Sequence, residues 1–293
     1  MSLKIIPFKI PKSQKEFVRF QVDEGSHFYD KLHQHPEWQL TLILEGKGQL
    51  MVGDYLGRFE PGDIYLLGSN VPHVFRSDEE YFQKTNFIKS VSNTIFFDFE
   101  ALGKGIWEVE EFLELRQWVN AIKGCYVVRC ENQEFLKNSI RTFGQKTGME
   151  KVLAALEMIR TLQQTNAMQP LNRLLPTRDY SELEGKRMGN VMAFILAENH
   201  RNISLKEVAG TANMSKEAFC RFFKQRTGKT FTEFLNELRI HKSCHLLQET
   251  DLSISQIAYQ TGFQNLSYFN RAFKKYILTT PKSFRKQIHF QNL

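Results

Sequence analysis

His33 and His35 stand two residues apart in "KLHQHPEWQL", and on an extended strand that spacing turns both imidazoles to one face. His73, in "GSNVPHVF", follows in a segment able to supply a neighbouring strand. Imidazoles gathered in this way either ligate a metal or serve as hydrogen-bonding groups in a polar pocket. A second set of reactive side chains is basic. Arg221 and Lys224 in "CRFFKQ", and Arg271 and Lys274 in "NRAFKKY", each share a segment with phenylalanines. In the later segment Phe269, Ala272, Phe273 and Tyr276 fall at i, i+3, i+4 and i+7, the stripe a helix turns toward a core, while Ser267, Arg271 and Lys274 lie on another face. A guanidinium presented from such a face meets a guanine edge or a phosphate.

The elements that carry these groups belong to a chain of 293 residues, 42% hydrophobic and 24% charged, long enough for two domains with ordinary cores. Its longest apolar runs fall short of a membrane span and the N-terminus lacks a signal peptide's apolar core, so a cytoplasmic protein with no membrane partner is expected. Cys125, Cys130, Cys220 and Cys244 show no CxxC spacing and read as buried free thiols. The net charge of +7 is unevenly spread: residues 186–293 hold 17 Lys+Arg against 7 Asp+Glu, and residues 1–185 hold 22 against 25. A cationic third beside a nearly neutral remainder points to a polyanionic partner.

That cationic third contains an internal repeat. "SLKEVAGTANMSKEAFCRFFKQRTGKTFTEF" (204–234) aligns with "SISQIAYQTGFQNLSYFNRAFKKYILTTPKSF" (253–284), matching Phe219, Arg221, Phe223 and Lys224 to Phe269, Arg271, Phe273 and Lys274. Each copy reads as a short helix, a turn and a second helix. Ser204 and Ser253 are N-cap residues, with Glu207 completing a capping box after the first. Gly262 supplies the second turn with Phe263 beneath it, and Asn213 and Met214 take those places in the first. Ala209 and Ala258 let the paired helices cross closely. "NELRIHKSCHLLQ" (236–248), free of Gly and Pro, is read as a continuous connecting helix that holds two recognition helices apart; successive major grooves on one side of B-DNA are ~34 Å apart.

Residues 186–290, with "IAYQTGFQNLSYFNRAFKKYILTTPKSFR" above all, resemble the C-terminal DNA-binding domain of AraC/XylS-type transcription regulators. The resemblance implies seven helices forming two helix-turn-helix units. It implies groove-facing positions at Lys216, Glu217, Cys220 and Arg221 in the first unit and Leu266, Ser267, Asn270 and Arg271 in the second. Side-chain chemistry then assigns Arg221 and Arg271 to guanine or phosphate, Asn270 to adenine, and Lys224 and Lys274 to phosphate. The family usually has Gly where this chain has Leu278.

"FYDKLHQHPEWQLTLILEGKGQLMVGDYLGRFEPGDIYLLGSNVPHVF" (28–75) breaks β-rich runs with closely spaced turn signals, as in an antiparallel barrel or sandwich. Its His-x-His, Pro-Gly-Asp turn and later His resemble the cupin fold that many such regulators carry as a sensor domain. In metal-binding cupins three histidines join a carboxylate; here Gln39 stands where Glu is expected, and Glu37 has the right strand parity but comes early. The expectation is no metal and no cofactor, with His33, His35, Gln39 and His73 lining an effector pocket or completing hydrogen bonds at the barrel mouth. Trp38, out of step with that face, is read as packing. Leu115, Trp118, Val119 and Ile122 form one helical stripe and Val152, Ala155, Leu156 and Ile159 another, suited to cover the barrel or to pair two subunits.

The expected architecture is thus multidomain α+β: a cupin-like antiparallel β-barrel with helices over 1–165, a linker over 166–186, and an all-α double helix-turn-helix domain over 187–293. The expected function is a sequence-specific regulator of transcription, not an enzyme, which binds double-stranded DNA under control of a small-molecule effector, a carbohydrate being one candidate. RNA polymerase and a second copy of the chain are further candidate partners. The alternative is a metal-dependent cupin enzyme with an appended helical domain.

Overall fold

A computed structural model describes residues 6–7, 16–53, 55–83, 88–129, 133–164, 168–172 and 182–291. The described residues fall into two compact units, one up to Asn172 and one from Glu182 onward.

Two sheets build the first unit. One runs in the order β1 (Ile6–Pro7), β3 (His33–Gln34), β8 (His73–Ser77), β5 (Gly48–Val52), β6 (Tyr55–Phe59). The other runs β11 (Met168–Pro170), β10 (Cys125–Val128), β7 (Ile64–Leu67), β4 (Trp38–Glu45), β9 (Ser90–Phe97), β2 (Val18–Gly25). Neighbours pair antiparallel except β1 with β3, which are parallel. The Pro-Gly-Asp turn before β7 is held from within: Asp63 accepts from the Glu60 amide at 2.9 Å and from the Tyr65 hydroxyl at 3.0 Å. Of the stretch read as linker, Met168–Pro170 is taken into the second sheet, because its backbone satisfies the otherwise open edge of β10, and residues 173–181 lie outside the described residues.

β4 is covered on both faces, which is why residues 38–43 are all buried instead of alternating with solvent. Trp38, Leu40 and Leu42 face a core shared with Ile95 and Phe97 of β9 and with the helices α1 (Leu113–Ala121), α2 (Gln133–Thr142) and α3 (Gly148–Gln164). Both helical stripes pack there; Trp38 meets Trp118 edge-on at 5.5 Å. Gln39, Thr41 and Ile43 point the other way, between the two sheets.

The second unit is seven helices among the described residues: α4 (Glu182–Glu198), α5 (Leu205–Thr211), α6 (Lys216–Thr227), α7 (Phe231–Glu249), α8 (Ile254–Gln260), α9 (Leu266–Ile277) and α10 (Pro281–Gln291). Ser204 and Ser253 cap α5 and α8 with complete capping boxes, closed by Glu207 and Gln256. The two turns adopt left-handed backbone at Asn213 (φ 53°) and Gly262 (φ 92°). Phe263 is buried beneath the second turn, whereas Met214 is only half-buried beneath the first. The connecting helix is unbroken over Phe231–Glu249.

α6 ends on Gly228 at φ 67° and α9 on Leu278 at φ 64°, with the Leu278 amide still donating to the Lys274 carbonyl at 3.0 Å. The left-handed C-cap therefore forms without glycine, at a cost of ~1–2 kcal/mol to an L-residue. Leu278 is 85% exposed and gains nothing from burial in return. Leu278→Gly should stabilise this unit by ~0.5–1 kcal/mol once glycine's extra chain entropy is deducted. A far-UV circular dichroism melt reads the change, and a lowered midpoint would contradict it.

Candidate functional site

Between the sheets of the first unit lies a cavity of about 540 Å³. Strand parity builds its floor. Thr41 of β4, Thr94 of β9 and Gln21 of β2 sit in one cross-strand row, and Ile43, Ser92 and Asp23 in the next. Buried hydrogen bonds run along the floor: His35 Nε2 lies 2.9 Å from Gln39 Oε1, Gln39 Nε2 donates to Thr41 Oγ1 at 2.8 Å, and the Thr41 and Thr94 hydroxyls are 3.0 Å apart. Phe28, Tyr29, Phe75 and Phe96 add aromatic walls. Of the four residues expected here, His33 and Gln39 line the cavity; His35 and His73 are buried behind it. Thr41, Thr94, Ser92 and Gln21 were not anticipated. For the first three the signal was present, Thr41 two residues after Gln39 in "WQLTLI" and Ser90, Ser92 and Thr94 at every second position of "SVSNTIFF".

The three histidines do converge. His33 pairs with His73 across β3 and β8, and the ring centroids of His33, His35 and His73 are 4.3 to 6.0 Å apart. Each Nδ1 lies against a backbone carbonyl, that of Lys31, Glu37 or Val71. Burial holds His33 down to about 4 and His73 well below the usual imidazole range, so both are neutral at pH 7. One nitrogen of each ring, taken together, lies within 4.8 Å of the others, close enough to hold an ion. His35, however, has both ring nitrogens engaged, and the position that a cupin metal centre fills with a carboxylate is the neutral amide of Gln39. Glu37 is buried with its carboxylate 3.6 Å from His35 Nδ1, on the side away from Gln39's bond at Nε2. The cluster therefore offers three imidazole nitrogens but lacks the carboxylate that completes such a centre.

On the second unit, burial of Phe219, Phe222 and Phe223 on α6 leaves Lys216, Glu217, Cys220, Arg221 and Lys224 exposed. Burial of Phe269, Ala272 and Phe273 on α9 leaves Ser267, Asn270, Arg271 and Lys274 exposed. Three expectations change. Cys220 is exposed, since it falls just off the phenylalanine stripe, whereas Cys125 and Cys244 are buried; Cys130 lies outside the described residues. Leu266 turns partly into the apolar core of its unit. Glu217 is drawn to the start of α6, where its own backbone amide and the Ser215 hydroxyl hold its carboxyl below the ordinary range, a favourable place for an anion on a helix dipole. Arg271 lies 6.0 Å from the ring centre of Tyr268.

Two outcomes follow for the cavity. After incubation with Mn²⁺ or Zn²⁺ and gel filtration, the protein should retain no stoichiometric metal, and Gln39→Glu, which restores the carboxylate, should raise retention toward one ion per chain by elemental analysis. Because the unfolded chain takes up protons on His33 near pH 6.5 while the folded one resists until about 4, stability should fall as pH drops through that window. All three tryptophans, Trp38, Trp107 and Trp118, lie in the first unit, so their fluorescence in urea titrations reads this fall, and His33→Asn should lessen it, the part due to His73 remaining.

A helix-turn-helix domain family matches residues 208–287 and a cupin domain family matches residues 18–81. Relatives match along most of their own length. An uncharacterised helix-turn-helix-type transcriptional regulator, YdeC of Bacillus subtilis, is 24% identical over 90% of this chain and 89% of its own. The Msm operon regulatory protein of Streptococcus mutans is 23% identical over 85% and 84%. The transcriptional activator RhaS of Pectobacterium atrosepticum is 25% identical over 87% of each chain. Among the described residues no helix is long and apolar enough to cross a membrane. A cupin domain and, later in the chain, a helix-turn-helix domain are thus matched, and the chain is similar over most of its length to helix-turn-helix-type transcriptional regulators, resembling the AraC type among them.

Proposed function

We propose that the cavity of the first unit binds a small neutral polyhydroxylated effector, a carbohydrate by its chemistry, and that binding alters DNA affinity or contact with RNA polymerase. The observation that carries this reading is the floor itself: hydroxyls and amides of Gln21, Gln39, Thr41, Ser92 and Thr94 stand in rows beneath aromatic walls. Rows of neutral donors and acceptors suit sugar hydroxyls, and aromatic faces suit the apolar faces of a sugar ring. The mismatch with a metal centre supports a sensor and not an enzyme. A cytoplasmic regulator acting as a dimer is consistent with this, Met149 and Leu153 of α3 remaining exposed outside the stripe that packs on the barrel. Screening sugars by thermal shift, and then titrating the best into wild type and Thr41→Val, tests the site; an unchanged response in the variant would remove the floor from the proposal.

On the DNA side the assigned contacts are Lys216, Arg221 and Lys224 in the first unit and Ser267, Asn270, Arg271 and Lys274 in the second, with Glu217 serving at the helix start. Exposure of all of them on two like faces supports this. Arg271→Ala should leave the melting midpoint unchanged and cost ~1–3 kcal/mol of specific binding. Phe273→Ala should instead cost ~3–5 kcal/mol of stability, through loss of a fully buried ring. Melts and DNA titrations on the two variants check the assignment, and binding that weakens with salt distinguishes phosphate contacts.

A further inference from the structure

Arg239, in the middle of α7, is a buried cation with no carboxylate partner among the described residues. It is 7% exposed. Its Nε donates to the Asn199 carbonyl at 2.8 Å and one terminal nitrogen donates to the Arg201 carbonyl at 2.6 Å. Its guanidinium carbon lies 5.7 Å from the centre of the Phe263 ring. No acidic group among the described residues is in contact with it, and burial lowers its pKa to about 10. A guanidinium is a costly way to fill space, and an apolar residue of similar volume is often as good. Its fork, by contrast, meets two carbonyls only at a set distance and angle, which a lysine cannot reproduce.

The partners of that fork belong to different halves of the DNA-binding unit. Asn199 and Arg201 form the entry to the first helix-turn-helix: the Arg201 side chain reaches on to Glu207 of α5 at 2.9 Å. Phe263 and Gly262 form the turn of the second. A Cβ on Gly262 would lie 2.4 Å from the Asn199 carbonyl oxygen and 2.9 Å from Arg239 Nε, so the second unit's turn is pressed directly against the first unit's entry at this residue. On the following turn of α7, Ser243 bonds the Arg239 carbonyl at 2.7 Å and the Thr261 hydroxyl at 3.1 Å, extending the junction to the end of α8. α7 runs from the end of the first unit to the start of the second, and this junction adds a tie between the first unit's entry and the second unit's turn.

We propose that Arg239 is the positioning residue that fixes the separation of the two recognition helices, and with it the spacing between the two DNA segments the protein accepts. The proposal rests on the reading that both units contact one duplex. Arg239 itself touches no DNA; it acts through the geometry of α6 and α9.

Full-length protein would be used to select duplexes from a random library, and the tightest duplex footprinted. Affinities are then measured for that duplex and for derivatives with one base pair inserted or removed between the protected segments. Wild type should lose about tenfold or more on either change, as for a lost base contact. Arg239→Met and Arg239→Lys, both checked for a folded melt, should bind the parent duplex more weakly yet lose less than about threefold on the spacing changes. A second reading needs no DNA. With Cys130→Ser and Asn270→Cys, a pair of spin labels on Cys220 and position 270 should give one narrow distance in wild type and a broadened distribution in either Arg239 variant. Because Arg239→Lys keeps charge and length, it carries the comparison if Arg239→Met does not fold. Variants that keep the wild-type spacing penalty and the narrow distance would overturn the proposal. A wild-type footprint of a single segment would overturn the two-unit reading beneath it, while the label distances would still decide whether Arg239 fixes the helices.

Discussion

Phe269 and Phe273 lie one turn apart on α9 with ring centroids 5.7 Å from each other, and Phe219 and Phe223 repeat the pair on α6 at 5.4 Å. Each helix-turn-helix has a core only a few side chains deep, so these rings dominate what it buries. Once they are inside, the helix period leaves no choice about which residues remain outside. Arg221 and Arg271 face solvent because the phenylalanines cannot. The exposed basic face is a geometric consequence of the apolar one, and its duplication makes two such faces on one compact unit.

The same rule with a period of two shapes the sensor unit. β4 and β9 each give one face to the helical core and the other to the cavity, so every apolar residue demanded by the core leaves a neighbour to line the cavity. A one-residue slip in register would exchange the two sets completely. The cavity's polarity is therefore protected by the packing of Trp38, Leu40, Leu42, Ile95 and Phe97 on the opposite side. Histidine burial belongs to this arrangement: His35 and His73 sit behind the floor, where their rings lie against backbone carbonyls and, for His35, against Gln39.

Much of this was legible in the residues. The repeat, the capping serines, the left-handed Asn213 and Gly262, the unbroken connecting helix and the packing role of Trp38 depend on local chemistry and on periods of 3.6 or 2, which a linear chain displays directly. The convergence of His33, His35 and His73 was half legible, since two share a strand face by parity. The direction of Glu217 was not, because a carboxylate near a helix start chooses between solvent and its own backbone amides. Leu278 illustrates the opposite limit: the C-cap forms through the backbone bond to Lys274 even where the residue type disfavours it.

The sequence by itself determined the elements, their buried faces and the concentration of positive charge in the last third, because each is written in nearest-neighbour spacing and composition. Only the tertiary structure decided which residues of distant segments meet. Gln21, Thr41 and Thr94 form one row because three strands that are not consecutive in the chain pair side by side, and strand order carries no mark in local periodicity. Arg239 reads in the sequence as one more charge on a helix. It becomes a junction only when the chain folds the entry of one unit against the turn of the other, 63 residues apart at Asn199 and Gly262, and leaves a guanidinium as the group that satisfies the carbonyls between them.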